Sequence, residues 1–180
     1  MPPIDLLSAE TFPDSVKGLA EVLADAVDDG ASMSFLAPFG HEAAAAWWHA
    51  QAPAVTDGSL LVWVCRDPES AGGIVGTVSL ALSRKPNARH RAELIKLAVH
   101  RTARGRGLAR ELLATAEAAA RAAGVTLLML DTVTASPAER VYLADGWTRY
   151  GIVPDYAAAP GGALEDCSFF YKRLEAEAGG

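Results

Sequence analysis

The feature that most constrains this chain runs from residue 92 to 132. An apolar run, AELIKLAV, meets a basic, glycine-bearing corner, HRTARGRG, followed by a helical stretch from about Leu108 to Ala123, closed by Gly124, and a second apolar run, VTLLMLDT. Short apolar runs bounded by turn signals read as buried strands. A strand, a helix and a strand in that order make a crossover unit, so the centre of the fold is a strand–helix–strand crossover.

The flanking sequence reads differently. Val16, Leu19, Leu23, Ala26 and Val27 recur at helical spacing, with Ser15 as a plausible cap and Gly30 as the stop. A loop leads to a second helix, HEAAAAWWHAQ, ended by Pro53. SLLVWVCRD and IVGTVSLALS then read as hairpin partners around Gly72-Gly73, and the basic stretch Arg84 to Arg91 as a polar turn before AELIKLAV. After the crossover come a short helix from Pro137 to Gly146 and two strand-like pieces, WTRYGIVP and LEDCSFFYKRL. Hairpins around one crossover predict an α/β fold, with a central, mostly antiparallel sheet flanked by helices. The 180 residues suit a single domain, 1–180, with a tail that frays after about residue 175.

Composition excludes several classes of function. Hydrophobic residues make up 51% of the chain and charged residues 21%, enough to bury a core. A formal net charge of −6 disfavours general nucleic-acid binding and makes the local arginine cluster stand out. Cys65 and Cys167 lie far apart, and His41, His49, His90 and His100 have no ligand spacing, so no metal is expected. The N-terminus lacks the basic-then-apolar pattern of a signal peptide, and no apolar run approaches membrane-spanning length, so a cytoplasmic location is expected and no membrane partner.

The glycine corner identifies a ligand class. A helix start leaves backbone N–H groups without intrahelical partners, and its dipole favours anions. Gly105 and Gly107 allow the backbone to approach a phosphate, while Arg101, Arg104, Arg106 and Arg110 add positive charge. The corner lacks the Gly-Lys-Ser/Thr ending of a Walker A loop, and Arg110 stands where the dinucleotide fingerprint needs its third glycine. Arg104-Gly105-Arg106-Gly107-Leu108-Ala109 instead resembles the Arg/Gln-x-x-Gly-x-Gly/Ala signature of the GNAT superfamily of N-acetyltransferases. The preceding strand AELIKLAV and the later VYLADGW resemble that superfamily in the same order, over most of the chain from about Glu21 to Leu174. Within it, RAELIKLAVHRTARGRGLARELL and LLMLDT…AERVYLADGWTRYGIVPDY look like the tabtoxin-resistance acetyltransferases.

The resemblance implies acetyl-CoA as cosubstrate. Its pyrophosphate would lie on Arg104, Gly105, Arg106, Gly107, Leu108, Ala109 and Arg110, and its pantetheine arm along Leu97, Ala98 and Val99, where the superfamily's sheet splays apart and leaves backbone groups unpaired. The resemblance also implies Glu93 and Asp131 as general bases and Tyr142 as the acid for the departing sulfur. Many members carry Asn seven residues before that tyrosine; this chain has Ala135, with Ser136 beside it. Phe35, Trp47 and Trp48 are candidates to line the acceptor site, though core packing explains aromatics there at least as well. The expected activity is acetyl transfer to the primary amine of a small, amino-acid-like or antibiotic- or toxin-like acceptor. A protein or peptide acceptor and a non-catalytic acyl-CoA sensor are the alternatives. Superfamily members are often dimers, so a homodimer is a further expectation.

Overall fold

The computed structural model describes residues 3–70 and 73–175. Gly72 of the expected hairpin turn and the expected frayed tail beyond 175 lie outside the described residues. The elements run β1 (Ile4–Leu6), α1 (Phe12–Asp28), α2 (His41–His49), α3 (Ala52–Thr56), β2 (Leu60–Arg66), β3 (Ile74–Leu82) and β4 (Arg91–Val99). They continue with α4 (Leu108–Ala122), β5 (Leu127–Val133), α5 (Pro137–Ala144), β6 (Thr148–Ala158) and β7 (Leu164–Arg173).

The strands form one 7-stranded sheet in the order β1-β2-β3-β4-β5-β7-β6. Every pairing is antiparallel except that of β4 with β5, the strands joined through α4. The fold is therefore the mixed, mostly antiparallel, helix-flanked sheet that the sequence predicts.

Side chains alternate across β2, so its two faces feed separate cores. Trp63 and Cys65 join α4 residues Leu108, Leu112 and Leu113, together with Tyr142, Trp147 and Phe170. Val62 and Val64 join Leu19, Val22 and Leu23 of α1 and Trp48 of α2 on the other face. Helix α4 packs tightly over Gly76 of β3: a Cβ there would lie 3.1 Å from Leu112 Cδ1.

Four local features differ from the sequence reading. The Pro-rich start contains β1, whose three residues pair with β2 but are too few to show a period. Helix α1 begins at Phe12, ahead of Ser15, because Pro13 fits a first helical turn, where its missing N–H costs nothing. The buried Ser15 hydroxyl instead donates to Thr11 O (2.9 Å) and accepts from Arg66 Nη2 (3.0 Å). Pro53 opens the short α3 instead of ending α2. Strand β6 runs through Pro154, which an edge strand tolerates because one side of its backbone needs no partner.

Candidate active site

Two irregularities of β4 create the site. Parallel pairing with β5 runs only from Arg91–Leu127 to Glu93–Met129, and from Leu94 onward β4 has no register with β5. On its other side, Thr77 pairs with Ala98 but Ser79 pairs with Ile95, so β4 spends one more residue than β3 across this step. Lys96 lies in that bulge with φ of 53°, in the left-handed region. The parting of β4 from β5 opens a cleft of about 1390 Å³ that reaches from the α1–α2 loop to the start of α4.

At one end of the cleft, Gly105 (φ 76°) and Gly107 (φ 80°) shape the entry to α4. Nothing lies within 4 Å of a Cβ built on either, and no side chain caps the helix. First-turn amides are thus open to an anion. Leu97, Ala98, Val99, Arg104, Gly105, Gly107, Leu108, Ala109 and Arg110 all line the cleft. The unpaired side of β4 leads to this corner, which suits an extended arm ending in phosphates.

The arginines divide into different roles. Arg101 donates to Asp25 and Asp28 near the end of α1, with Nη2 2.8 Å from Asp28 Oδ2. Arg104 pairs with Asp29 and donates through Nε to Val99 O at 3.1 Å. The Arg104 guanidinium holds the Asp29 carboxyl below its usual range. Arg106 turns away from the cleft, with Nη1 3.3 Å from Asp67 Oδ2, so its side chain does not join the lining that the sequence suggests. Arg110 lines the cleft and has no ion pair among the described residues.

Deeper in, Glu93 of β4, Asp131 of β5 and Tyr142 of α5 line the same cleft. Glu93 and Asp131 are open to the cleft, but its walls restrict their solvation. That desolvation raises the Glu93 pKa, Asp131 adds to the rise, and Arg91 and Lys96 oppose it. Desolvation likewise raises Asp131, with Lys96 opposing. Tyr142 is 6% exposed, packed edge-on to Trp147 at 5.8 Å, and burial followed by the Asp131 charge pushes its pKa up.

Ser136, beside Ala135, is the N-cap of α5: its Oγ accepts from Glu139 N at 3.1 Å. Its hydroxyl is thus engaged in capping, while the residue itself lines the cleft.

The α1–α2 loop walls the cleft with Met33, Ser34, Phe35 and Leu36. Ala37 N donates to Pro160 O (2.8 Å), tying this loop to the turn after β6, whose Tyr156, Ala157 and Ala158 line the facing wall. Of the three aromatic candidates, Phe35 lines the cleft. Trp47 is half-buried behind it, ring centroids 5.8 Å apart. Trp48 is fully buried against Phe12 in the α1–α2 core, which removes it from any ligand surface. The polar turn 84–91 lies at the opposite end of β4 from the loop that leads to the glycine corner.

Lys96 also lines the cleft, and nothing in the sequence singles it out. Within the apolar run ELIKLAV it reads as an outward strand residue, and a bulge leaves no signature in strand periodicity. Among the described residues no group of His, Cys, Asp and Glu is arranged to hold a metal, and no helix is long and apolar enough to cross a membrane.

Comparison with known proteins places this architecture. A ribosomal-protein-alanine N-acetyltransferase from Brucella melitensis superposes with a TM-score of 0.72 at 24% identity, covering 96% of this chain and 99% of that one. An acetyltransferase, so named provisionally, from Salmonella typhimurium, solved with its cofactor acetyl-CoA, gives 0.72 at 20% identity over 98% and 96%. A protein provisionally named a phosphinothricin N-acetyltransferase gives 0.74 at 19% identity over 96% and 99%. At these identities the likeness is one of fold. The family model described as "Acetyltransferase (GNAT) family" matches residues 24–147, a span that includes the bulged strand, the glycine corner and Tyr142. The chain therefore belongs to the GNAT acetyltransferase family.

Proposed function

We propose that this enzyme transfers the acetyl group of acetyl-CoA to the primary amine of a small, amino-acid-like or toxin-like acceptor, as tabtoxin-resistance acetyltransferases do. The carrying observation is that one cleft joins an uncapped, glycine-shaped helix start to two carboxyls of raised pKa and a buried tyrosine. Acetyl-CoA, when bound, supplies an activated thioester. Leu97, Ala98 and Val99 on the unpaired side of β4 would hold its arm, and the backbone of residues 104 to 110 its pyrophosphate, with Arg104 and Arg110 adding charge.

An ammonium cannot attack a carbonyl, so the acceptor must first lose a proton. Glu93 or Asp131 takes that proton, directly or through water, and the raised pKa of each brings its basicity nearer neutral pH. As the new C–N bond forms and the C–S bond breaks, Tyr142 gives a proton to the sulfur; burial keeps its hydroxyl protonated until then. The second proton that the nitrogen sheds on becoming an amide restores the tyrosine, directly or through water. The products are an N-acetyl amide and the free thiol.

The Ala37–Pro160 link across the acceptor end favours a small acceptor over a long peptide. Two buried free thiols, Cys65 and Cys167, suit the reducing cytoplasm. Strand β6, an edge bearing exposed Tyr150, Ile152 and Val153, is the surface on which we place a homodimer contact; a monomer mass in sedimentation equilibrium removes it.

The test is thiol release from acetyl-CoA with a panel of amines, amino acids and peptides. Glu93→Gln is expected to cut kcat by roughly 10²–10⁴-fold while leaving acetyl-CoA affinity in calorimetry unchanged. Tight acetyl-CoA binding with no acceptor turned over by the wild type would convert the reading to a sensor.

A further inference from the structure

We infer that Lys96 is a specificity-determining residue that takes a carboxylate of the acceptor while Glu93 and Asp131 receive its amine. This rests on the acetyl-transfer reading above and adds the acceptor's second charge.

Three observations carry it. First, the bulge breaks the strand alternation at Lys96, and the side chain reaches the acceptor wall, where Nζ donates to Met33 O at 2.8 Å. Second, the ammonium is held in place. It lies 5.0 Å from the Phe35 ring centroid and 4.9 Å from that of Trp47, and Phe35 is itself stacked on Phe39 at 4.1 Å. Cation–π contact with two fixed rings positions a charge without neutralising it. Third, the ammonium has three N–H donors, of which Met33 O takes one, and no described carboxylate lies within ion-pair distance of it. A half-buried cation with donors to spare and no direct counter-ion carries a desolvation cost that a bound anion offsets. Burial accordingly draws the Lys96 pKa down, with Asp131 and Glu93 opposing.

The layout selects among amines. Glu93, Asp131 and Lys96 line one cleft, two negative groups and one positive, which complements a free amino acid carrying both an amine and a carboxylate. A peptide N-terminus has its neighbouring carboxylate converted to a neutral amide, and a simple amine has none. Both leave Lys96 without a counter-ion.

The experiment compares free amino acids with their methyl esters as acceptors, for the wild type, Lys96→Met and Lys96→Arg. A charged hydrogen bond of ordinary strength predicts that the wild type prefers the acid by roughly 10- to 100-fold in kcat/KM, expressed in KM. Lys96→Met is expected to bring the acid-to-ester ratio close to one, and Lys96→Arg to retain most of it. A second readout is calorimetric binding of N-acetylated products in the presence of CoA, where Lys96→Met should weaken the acid by about tenfold or more and leave the ester unchanged. Equal use of acids and esters by the wild type, or a ratio preserved in Lys96→Met, overturns the role of Lys96 and leaves acetyl transfer standing. Failure of the wild type to acetylate any amine while binding acetyl-CoA overturns acetyl transfer, and this inference with it. Should Lys96→Met not fold, the wild-type ratio and Lys96→Arg decide the matter.

Discussion

Glu93 is the last residue of β4 paired with β5, Asp131 lies two residues beyond its partner Met129, and the walls of the cleft they share draw each toward neutral titration. The Asp131 charge raises the Glu93 pKa, so Asp131→Asn lowers it, and the acid limb of kcat/KM in the residual activity should move to lower pH. Lys96 acts oppositely: its positive charge lowers both carboxyls, so Lys96→Met should move the same limb to higher pH. Opposite movements in a pH–rate profile identify the cleft carboxylates as the limiting bases; a limb that stays fixed in both variants excludes them. Of these groups, Glu93, Asp131 and Tyr142 are suggested by resemblance alone, Glu93 near the start of one strand, Asp131 at the end of the next and Tyr142 ahead of Gly146-Trp147. Lys96 is not, because its place depends on a bulge formed by the pairing of two strands.

At the level of elements, the end of α1 is fastened to the loop that follows β4. Asp25, its side chain 7% exposed, accepts from Arg101 N at 2.9 Å and from the Arg101 guanidinium, and lies 3.6 Å from His100 Nε2. Removing the Asp25 carboxylate takes charged acceptors from the Arg101 amide and guanidinium, although the exposed guanidinium keeps Asp28. Asp25→Ala should therefore cost about 1–3 kcal/mol in urea unfolding and weaken acetyl-CoA binding by loosening the corner. Unchanged affinity would mean that the corner keeps its shape unaided. The long helices and the central strands are legible in the sequence because each carries its own period or apolar run. Strand β1 is not, since its three residues gain order only from pairing with β2. The parting of β4 from β5 is expected from the superfamily resemblance alone, since Leu94 to Val99 themselves read like any strand and what fails is the pairing beside them.

Across the whole molecule, Lys172 of β7 gathers the ends of three elements. Its Nζ lies 2.7 Å from Glu117 Oε1 of α4, 2.7 Å from Asp145 O and 2.9 Å from Asp145 Oδ2 after α5, on the face that also holds Tyr142 and Trp147. Lys172→Met leaves Glu117 only Arg121 at 3.6 Å and Asp145 only the Trp147 indole N–H at 3.2 Å, and should cost about 1–3 kcal/mol, lowering Tm by roughly 2–12 °C. A loss below about 1 kcal/mol would show that both carboxylates reach water or take up protons. The pairing of the corner arginines has a different consequence. Arg101, Arg104 and Arg106 already hold Asp25, Asp28, Asp29 and Asp67, and the chain as a whole carries a net charge of −6. An incoming polyanion thus meets little net long-range attraction: Arg110 is the corner arginine with no ion pair among the described residues, and the rest is short-range donation from peptide groups, which dissolved ions screen weakly. Cosubstrate capture by this enzyme should accordingly weaken only modestly as salt is raised, which acetyl-CoA affinity measured across ionic strengths checks.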